Sequence, residues 1–481
     1  MMPSFNILDD PHTCANYKRF LIKHLDWSIH SIDFNAKLIH ATAKYTVKVI
    51  ECEQALYLDC SHIKVHECHV NGRATLFELG KGKFGGTLKI NLLPSFIEMS
   101  TNDFELSIKY ETTSECTAVQ WLKDKQGMPF LFTQCQAIHA RSLLPVQDTP
   151  SVKFTYTASV TKPDNLKVLM SALEQESTDQ SVCVFKQPVA IPAYLLALAI
   201  GDLRSRDISP RCRVWAEPHL IERAAEEFAE TELFLKTAES IAGPYVWGRY
   251  DLLVLPGSFP YGGMENPCLT FLSPSLVVGD KSLVDVVAHE IAHSWSGNLV
   301  TNANWAAFWL NEGTTMFLER KITGLIRGES YRQFDACLGL TELRKDVEQF
   351  GCKHPATALT PDLTNLDPDD AYSRVPYEKG HTFLYFLEGI VNQSSGENLF
   401  NRWLKSYFAK FAGQSVTVKD WLDYFLALFK SYPDAYAALQ KVDFEKWMYN
   451  PGMPDPVPSY DESMCACCRL LADQYIPFLS F

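Results

Sequence analysis

The segment His289-Glu290-Ile291-Ala292-His293 has the residue types and spacing that most directly imply chemistry. Histidines four apart on a helix lie one above the other on a single face, near enough to share one metal ion. Neutral imidazole is a standard zinc ligand. Glu290, between them, is not needed as a ligand and can take a proton from a metal-activated water. Two histidines still leave a zinc site one protein ligand short, with a fourth position open to water. Glu312 stands in Phe308-Trp309-Leu310-Asn311-Glu312-Gly313, and a carboxylate among such neighbours is costly to bury unpaired. Coordination would satisfy it. Glu319, seven residues on and on the same helical face, is expected to accept a hydrogen bond from a ligand histidine. The expected set is one Zn2+ per chain on His289, His293 and Glu312, with Glu290 as base.

A third segment is Tyr261-Gly262-Gly263-Met264-Glu265-Asn266-Pro267. Paired glycines let a backbone approach closely, and the carboxylate beside them suits a substrate's free ammonium. Two other clusters carry less. His62, His66, Cys68 and His69 lie in a strand that points His66 and Cys68 one way and His69 the other, so they do not converge. A solvated edge strand accounts for them. Cys465-Ala466-Cys467-Cys468 is one clump rather than two separated pairs and reads as the start of a helix.

These residues need elements to hold them. Asp280 or Ser282 can cap the helix carrying the two histidines, and Gly297 can end it. Leu283, Val286, Val287 and Ile291 supply its buried face. Before that helix the chain reads as strands. Val152 to Val160, Phe104 to Tyr110 and Ala43 to Val49 alternate with period two, and Asn71-Gly72 and Gly85-Gly86 signal turns. After about Asp207 the period lengthens. Glu222 to Ala242 reads as one helix and Asp251 to Leu255 as a short buried strand, and from Lys281 onward helices dominate. Pro451, Pro454, Pro456 and Pro458 mark a linker. The expected organisation is an α+β multidomain chain: an N-terminal antiparallel β saddle or sandwich over 1–206, a mostly helical catalytic domain over 207–450, and a proline-rich linker with one helix start over 451–481, ended by Pro477.

With 481 residues, the chain exceeds one typical domain. Its 44 Lys and Arg against 57 Asp and Glu leave a net charge of -13, which argues against nucleic acid as partner. The longest apolar run, Val189 to Ile200, is broken by Pro192 and too short to span a bilayer, so no membrane partner is expected. The 14 cysteines are scattered through apolar settings, which suits reduced thiols in the cytosol. No signal peptide is read at the start.

The three chemical segments together resemble the zinc aminopeptidases of peptidase family M1. The likeness runs from about residue 15 to 461. It includes Phe132-Thr133-Gln134-Cys135-Gln136-Ala137-Ile138-His139, Gln147-Asp148-Thr149-Pro150-Ser151-Val152-Lys153 and Asp369-Asp370-Ala371-Tyr372-Ser373-Arg374-Val375-Pro376-Tyr377. The resemblance implies a thermolysin-like (gluzincin) catalytic domain acting on peptides with a free N-terminus. It implies that Glu265 grips the substrate ammonium, that Gln134, Gln136, Ala137 and Tyr261 line the first side-chain pocket beside Gly262, Gly263 and Met264, and that Tyr377 stabilises an oxyanion. The likeness is strongest to a branch that also hydrolyses a lipid epoxide, where Asp369 matches the residue that places water; Asp370 departs from that pattern. Relatives continue past the proline-rich stretch into a helical domain with a basic carboxylate clamp, so a chain that stops at Phe481 is expected to lack the clamp. The rival expectation is a zinc-binding chain that acts through protein interactions without catalysis.

Overall fold

Strict alternation builds the first half of the chain. The computed structural model describes residues 10–93, 103–395 and 398–479. Phe154–Thr161 buries Phe154, Tyr156, Ala158 and Val160 and turns the residues between them outward, as the pleat requires. It belongs to an eight-stranded sheet. In order across the sheet the strands are Leu173–Gln175, Val182–Ile191, Phe154–Thr161, Phe20–Asp33, Leu38–Val49, Phe104–Thr112, Ile63–Val70 and Arg73–Ala74. Every neighbour is antiparallel but one: Phe20–Asp33 runs parallel to Phe154–Thr161, with Trp27 opposite Ala158. The expected antiparallel architecture therefore has one exception, between strands too far apart in sequence for a hairpin to join them. Asn71 and Gly72, both at positive φ (49° and 75°), form the two-residue turn into Arg73–Ala74. Three- and four-stranded sheets complete this half.

The histidine cluster of Ile63–Val70 departs from a regular strand. The register slips between Val65 and Glu67, so Cys68 turns into the core while His66 stays out and pairs with Glu111. His66 and Cys68 thus do not share a face, because the extra residue of a bulge reverses the alternation. The strand is also covered on both sides, by Phe104–Thr112 and the short Arg73–Ala74.

A mixed five-stranded sheet opens the second half: Arg204–Asp207, Cys212–Ala216, Tyr250–Val254, Leu269–Leu272 and Gly263–Met264. It starts just ahead of the expected boundary. The single helix expected over Glu222 to Ala242 is two, Ile221–Glu227 and Thr231–Ala242. Between them the Thr231 hydroxyl donates to the Phe228 carbonyl at 2.7 Å, and Glu227 turns inward to accept the N–H groups of Gly279 (2.6 Å) and Lys281 (2.9 Å). Long helices follow, chiefly Trp309–Arg327, Glu329–Phe350 and Gly380–Ser395. The proline-rich stretch is tied down rather than free. Lys379 Nζ is buried and donates to the carbonyls of Thr357, Asn450 and Gly452 at 2.9, 2.9 and 2.8 Å. The last helix, Ser463–Leu479, runs two residues past Pro477 instead of stopping there. It docks against Glu329–Phe350 with Cys465 buried.

One buried arginine ties the segment that leads into the cleft to its domain. Arg141 donates from its backbone N and Nε to Asp148 Oδ2 (3.0 and 2.9 Å) and from Nη2 to the carbonyls of His12 (2.8 Å) and Asp148 (3.0 Å). Asp59, also fully buried, lies 3.9 Å away and accepts the N–H groups of Cys14 and Asp148. Arg141→Met leaves two buried carboxylates without their cation. The expected cost is about 3–5 kcal/mol, read as a lower denaturant midpoint; a variant as stable as the parent would show that the network contributes nothing.

Candidate active site

The helix Asp285–Ala292 carries both histidines of the first segment. Its start differs from expectation. Val284 occupies the cap position with no side-chain bond, while Asp280 closes a separate upstream turn by accepting the Ser282 N–H at 2.9 Å. Asp285 in the first turn is held instead by Arg327 (2.8 Å) and the Tyr331 hydroxyl (2.6 Å). Leu283 is 42% exposed, and Val284 takes the buried place expected for it. Val287 and Ile291 are buried as anticipated, and Val286 is half-buried.

Each histidine is oriented from behind. His289 Nδ1 lies 2.8 Å from Glu319 Oε2, and His293 Nδ1 lies 3.0 Å from the Ser296 carbonyl. A carbonyl and a carboxylate only accept, so both Nδ1 atoms donate, and the Nε2 atoms are the ones left to offer lone pairs to a metal. The two Nε2 atoms are 3.1 Å apart, and each is 3.4 Å from Glu312 Oε2, itself buried and without a hydrogen-bond donor. Glu319, expected behind a ligand histidine, stands behind His289.

Glu312 comes from Trp309–Arg327, and the approach of that helix to Gly380–Ser395 depends on two glycines. A Cβ on Gly313 would sit 2.6 Å from Gly380 Cα. This crossing brings the π-type turn Val375–Lys379 against the site. Tyr377 lies in that turn, its ring stacked 6.2 Å from His289. Arg320 locks the crossing by donating to Glu378 through Nη1 (2.7 Å) and Nη2 (3.0 Å) and to Asp335 through Nε (2.6 Å).

Opposite the helix, Gly263–Met264 is the edge strand of the five-stranded sheet. A side chain on Gly263 would collide with the Glu290 carboxylate, so the glycine lets the strand pass directly over Glu290. Glu265 follows, buried, with its carbonyl bonded by Asn298 Nδ2 at 2.7 Å and its Oε1 3.3 Å from Gln136 Nε2. A cavity of about 480 Å³ opens here. Gln136, Ala137, Tyr261, Gly262, Gly263, Glu265, Asp369 and Tyr377 line it, together with the histidines, Glu290 and Glu312. Gln134 and Met264, expected on its wall, are not among the lining residues; they face each other, with Gln134 Nε2 3.2 Å from Met264 Sδ. For Met264 alternation explains this, since it lies between Gly263 and Glu265, which both line the cavity. Asp369 sits in a short turn with its Oδ2 2.7 Å from His139 Nε2, a partner the sequence did not suggest. Phe308, Tyr372 and Arg374 also line the cavity unforeseen.

The electrostatics of these side chains conflict unless a cation joins them. Burial pushes the Glu290 carboxyl up to about 8, against the pull of His289 and His293 and with Glu265 and Glu312 adding to the rise. Burial also raises Glu265 and Glu319. Facing lone pairs 3.1 Å apart, with a buried carboxylate oxygen beside them, form a donor set that fits a divalent ion. The Tyr377 phenol is pushed well above its ordinary value by burial, with Glu312 and Tyr372 nearby, which keeps its proton in place.

Comparison with known proteins agrees with this geometry. The Peptidase M1 N-terminal domain matches residues 22–195 and the Peptidase family M1 domain matches residues 227–447. The leukotriene A-4 hydrolase of Xenopus laevis is 45% identical over 479 residues, covering 97% of this chain and 77% of that relative. The chain belongs to peptidase family M1. Leucine aminopeptidase 2 of Saccharomyces cerevisiae is 42% identical to this M1 chain, covering 97% of it and 69% of the relative. The structure of native yeast LTA4 hydrolase superposes with a TM-score of 0.91 at 42% identity, over 99% of this chain and 75% of that one. An M1 zinc metallopeptidase from Deinococcus radiodurans shares the fold, with a TM-score of 0.71 at 21% identity. This M1 chain is a zinc metallopeptidase, with one zinc ion as cofactor. No helix among its described residues is long and apolar enough to cross a membrane.

If Glu319 orients His289 for the metal, Glu319→Leu lowers zinc affinity roughly 10–100-fold. Competition against a chromophoric chelator reads this directly. An unchanged affinity would mean that Glu319 packs behind the histidine without tuning it.

Proposed function

We propose that this chain removes the N-terminal residue from short peptides, with His289, His293 and Glu312 as the zinc ligands. One observation carries the reading: a Glu265 carboxylate oxygen lies within 4.8 Å of both a Glu290 oxygen and a His293 ring nitrogen. A carboxylate that grips an ammonium so close to the base leaves room for a single residue between amine and scissile bond.

Zinc on these ligands supplies a Lewis acid that polarises the scissile carbonyl and makes water nucleophilic near neutral pH. Glu290, whose Oε2 is buried without a partner, receives the water's proton and passes it to the leaving amine. Glu265 fixes the α-ammonium, and Gln136 holds Glu265 in place. The Tyr377 hydroxyl donates to the developing oxyanion. Ala137, Tyr261, Gly262 and Gly263 shape the first side-chain pocket, with Gln134 and Met264 supporting it from behind.

The cavity continues past this point along Ala356, Ala358, Leu359, Pro361, Leu363 and Pro368. An apolar extension with one carboxylate, Asp369, on its wall suits a lipid epoxide, with Asp369 orienting water at a carbon remote from the ring. The leukotriene A-4 hydrolase among the relatives supports this second activity. All 14 cysteines are unpaired, which supports a reducing compartment, the cytosol. A purely non-catalytic role draws no support from a site so completely furnished for hydrolysis.

An alanyl-p-nitroanilide should be cleaved and its N-acetyl derivative spared, because the acetyl group removes the charge Glu265 would hold; equal cleavage of both sinks the exopeptidase reading. Glu290→Gln should retain zinc and lose ~10²-fold or more in rate, and near-normal turnover would remove Glu290 from its role. Tyr377→Phe should lower kcat with little change in KM, since its bond forms only in the transition state. A change confined to KM would make Tyr377 a binding group.

A further inference from the structure

His139 comes from the N-terminal half and Asp369 from the catalytic half, yet they meet at 2.7 Å on the rim of the cleft. The surrounding hydrogen bonds decide what the ring is. Its Nδ1 lies 2.8 Å from the Thr117 hydroxyl, and that hydroxyl donates its own proton to Ser142 Oγ at 3.1 Å. Ser142 Oγ in turn donates to the His139 carbonyl at 2.8 Å. With both hydroxyl protons committed, Thr117 must accept from Nδ1 while Asp369 accepts from Nε2. A histidine that donates from both nitrogens is an imidazolium.

The loop bearing Asp369 is held from the same side at two further points. His12 Nε2 lies 3.0 Å from the carbonyls of both Leu363 and Leu366, and Lys83 Nζ donates to the Thr364 carbonyl at 3.0 Å and to Asn365. Leu363, Pro368, Asp369 and Tyr372 on this loop all line the cavity. The N-terminal half therefore fixes the wall of the cleft opposite the metal ligands.

We propose that His139 is the positioning residue for Asp369, and that its protonation sets the charge, and so the substrate preference, of this end of the cleft. With the imidazolium present, the pair is neutral overall. Once His139 loses its proton, the carboxylate stands alone and favours a substrate with a cationic side chain. Around the ring, Asp369 and Asp367 face it from the loop, and Asp148, itself paired with Arg141, faces it from within its own domain. Tyr261 lies close enough to feel the Asp369 charge, and Arg374 lies over the Tyr377 ring further along the wall. Burial alone would lower the His139 pKa, but Asp369, with Asp148 and Asp367, raises it above the usual histidine value. The ring therefore keeps its charge to a higher pH than an ordinary histidine, and loses it as pH rises.

This inference rests on the aminopeptidase reading for its kinetic arm only. For arginyl- against alanyl-p-nitroanilide, the ratio of kcat/KM should rise roughly threefold from about pH 6 to about pH 9. Steps common to both substrates cancel in the ratio. In His139→Gln, whose amide reaches the Nε2 position without charge, the ratio should be flat and already at the high-pH value. The same rise in His139→Gln would overturn the proposal, as would a flat ratio in the parent protein. Nitrogen-15 NMR of zinc-loaded protein gives an arm independent of turnover. The His139 ring should titrate at a lower pH in Asp369→Asn than in the parent, with Nδ1 still protonated. An unshifted titration overturns the pairing even if peptides are cleaved, and a shifted one sustains it even if they are not.

Discussion

The structure is organised around the cost of gathering carboxylates where water is scarce. Glu265, Glu290, Glu312 and Glu319 converge on two histidines whose Nε2 lone pairs face each other at 3.1 Å. No arrangement of neutral neighbours stabilises four such groups together. A divalent cation does, and it needs the Nε2 atoms as ligands with the Nδ1 atoms engaged elsewhere, as Glu319 and the Ser296 carbonyl engage them. In the proposed reading Glu265 and Glu290 stay uncoordinated, one to hold the substrate's ammonium and the other to carry a proton.

Holding that cluster together takes backbones closer than side chains normally allow. Gly263 admits an edge strand over Glu290, and Gly313 lets one helix reach Gly380 of another. The second approach, between the two helices, is braced by a buried ion pair. Arg320 grips Glu378, the residue after Tyr377, so a guanidinium helps fix the turn whose tyrosine stacks on His289. Lys379, next along, anchors the proline-rich stretch through three carbonyls. Consecutive residues of one turn thus face the cavity, the neighbouring helices and the tail.

What could be read from the sequence follows from how local each signal was. His289 and His293 share a helical face by spacing alone, and Glu312 was exposed by its unsuitable surroundings. Glu319 was legible from helical periodicity. The period-two strands were legible for the same reason, but the bulge beside His66 was not, because a bulge is set by pairing with Phe104–Thr112 and not by its own residues. The missing cap on Asp285–Ala292 is of the same kind: Asp285 is occupied by Arg327, 42 residues away. His139 and Asp369 are separated by 230 residues, and nothing near either one announces the other. Gln134 and Met264 came from a resemblance that placed them near the substrate, whereas their side chains meet behind the wall.

The division of labour between the two halves follows from these contacts. The groups proposed to hold zinc and move protons lie on helices of the second half, whose geometry is fixed by ion pairs within it. The groups that shape the cleft's far side reach in from the first half, through Gln136 on Glu265, His139 on Asp369, and His12 and Lys83 on the intervening loop. A small rotation of one half against the other would move the Gln136 support of Glu265 and the Asp369 wall together. The buried Arg141 network sits two residues from His139, so the segment that reaches Asp369 is anchored in the core of the first half.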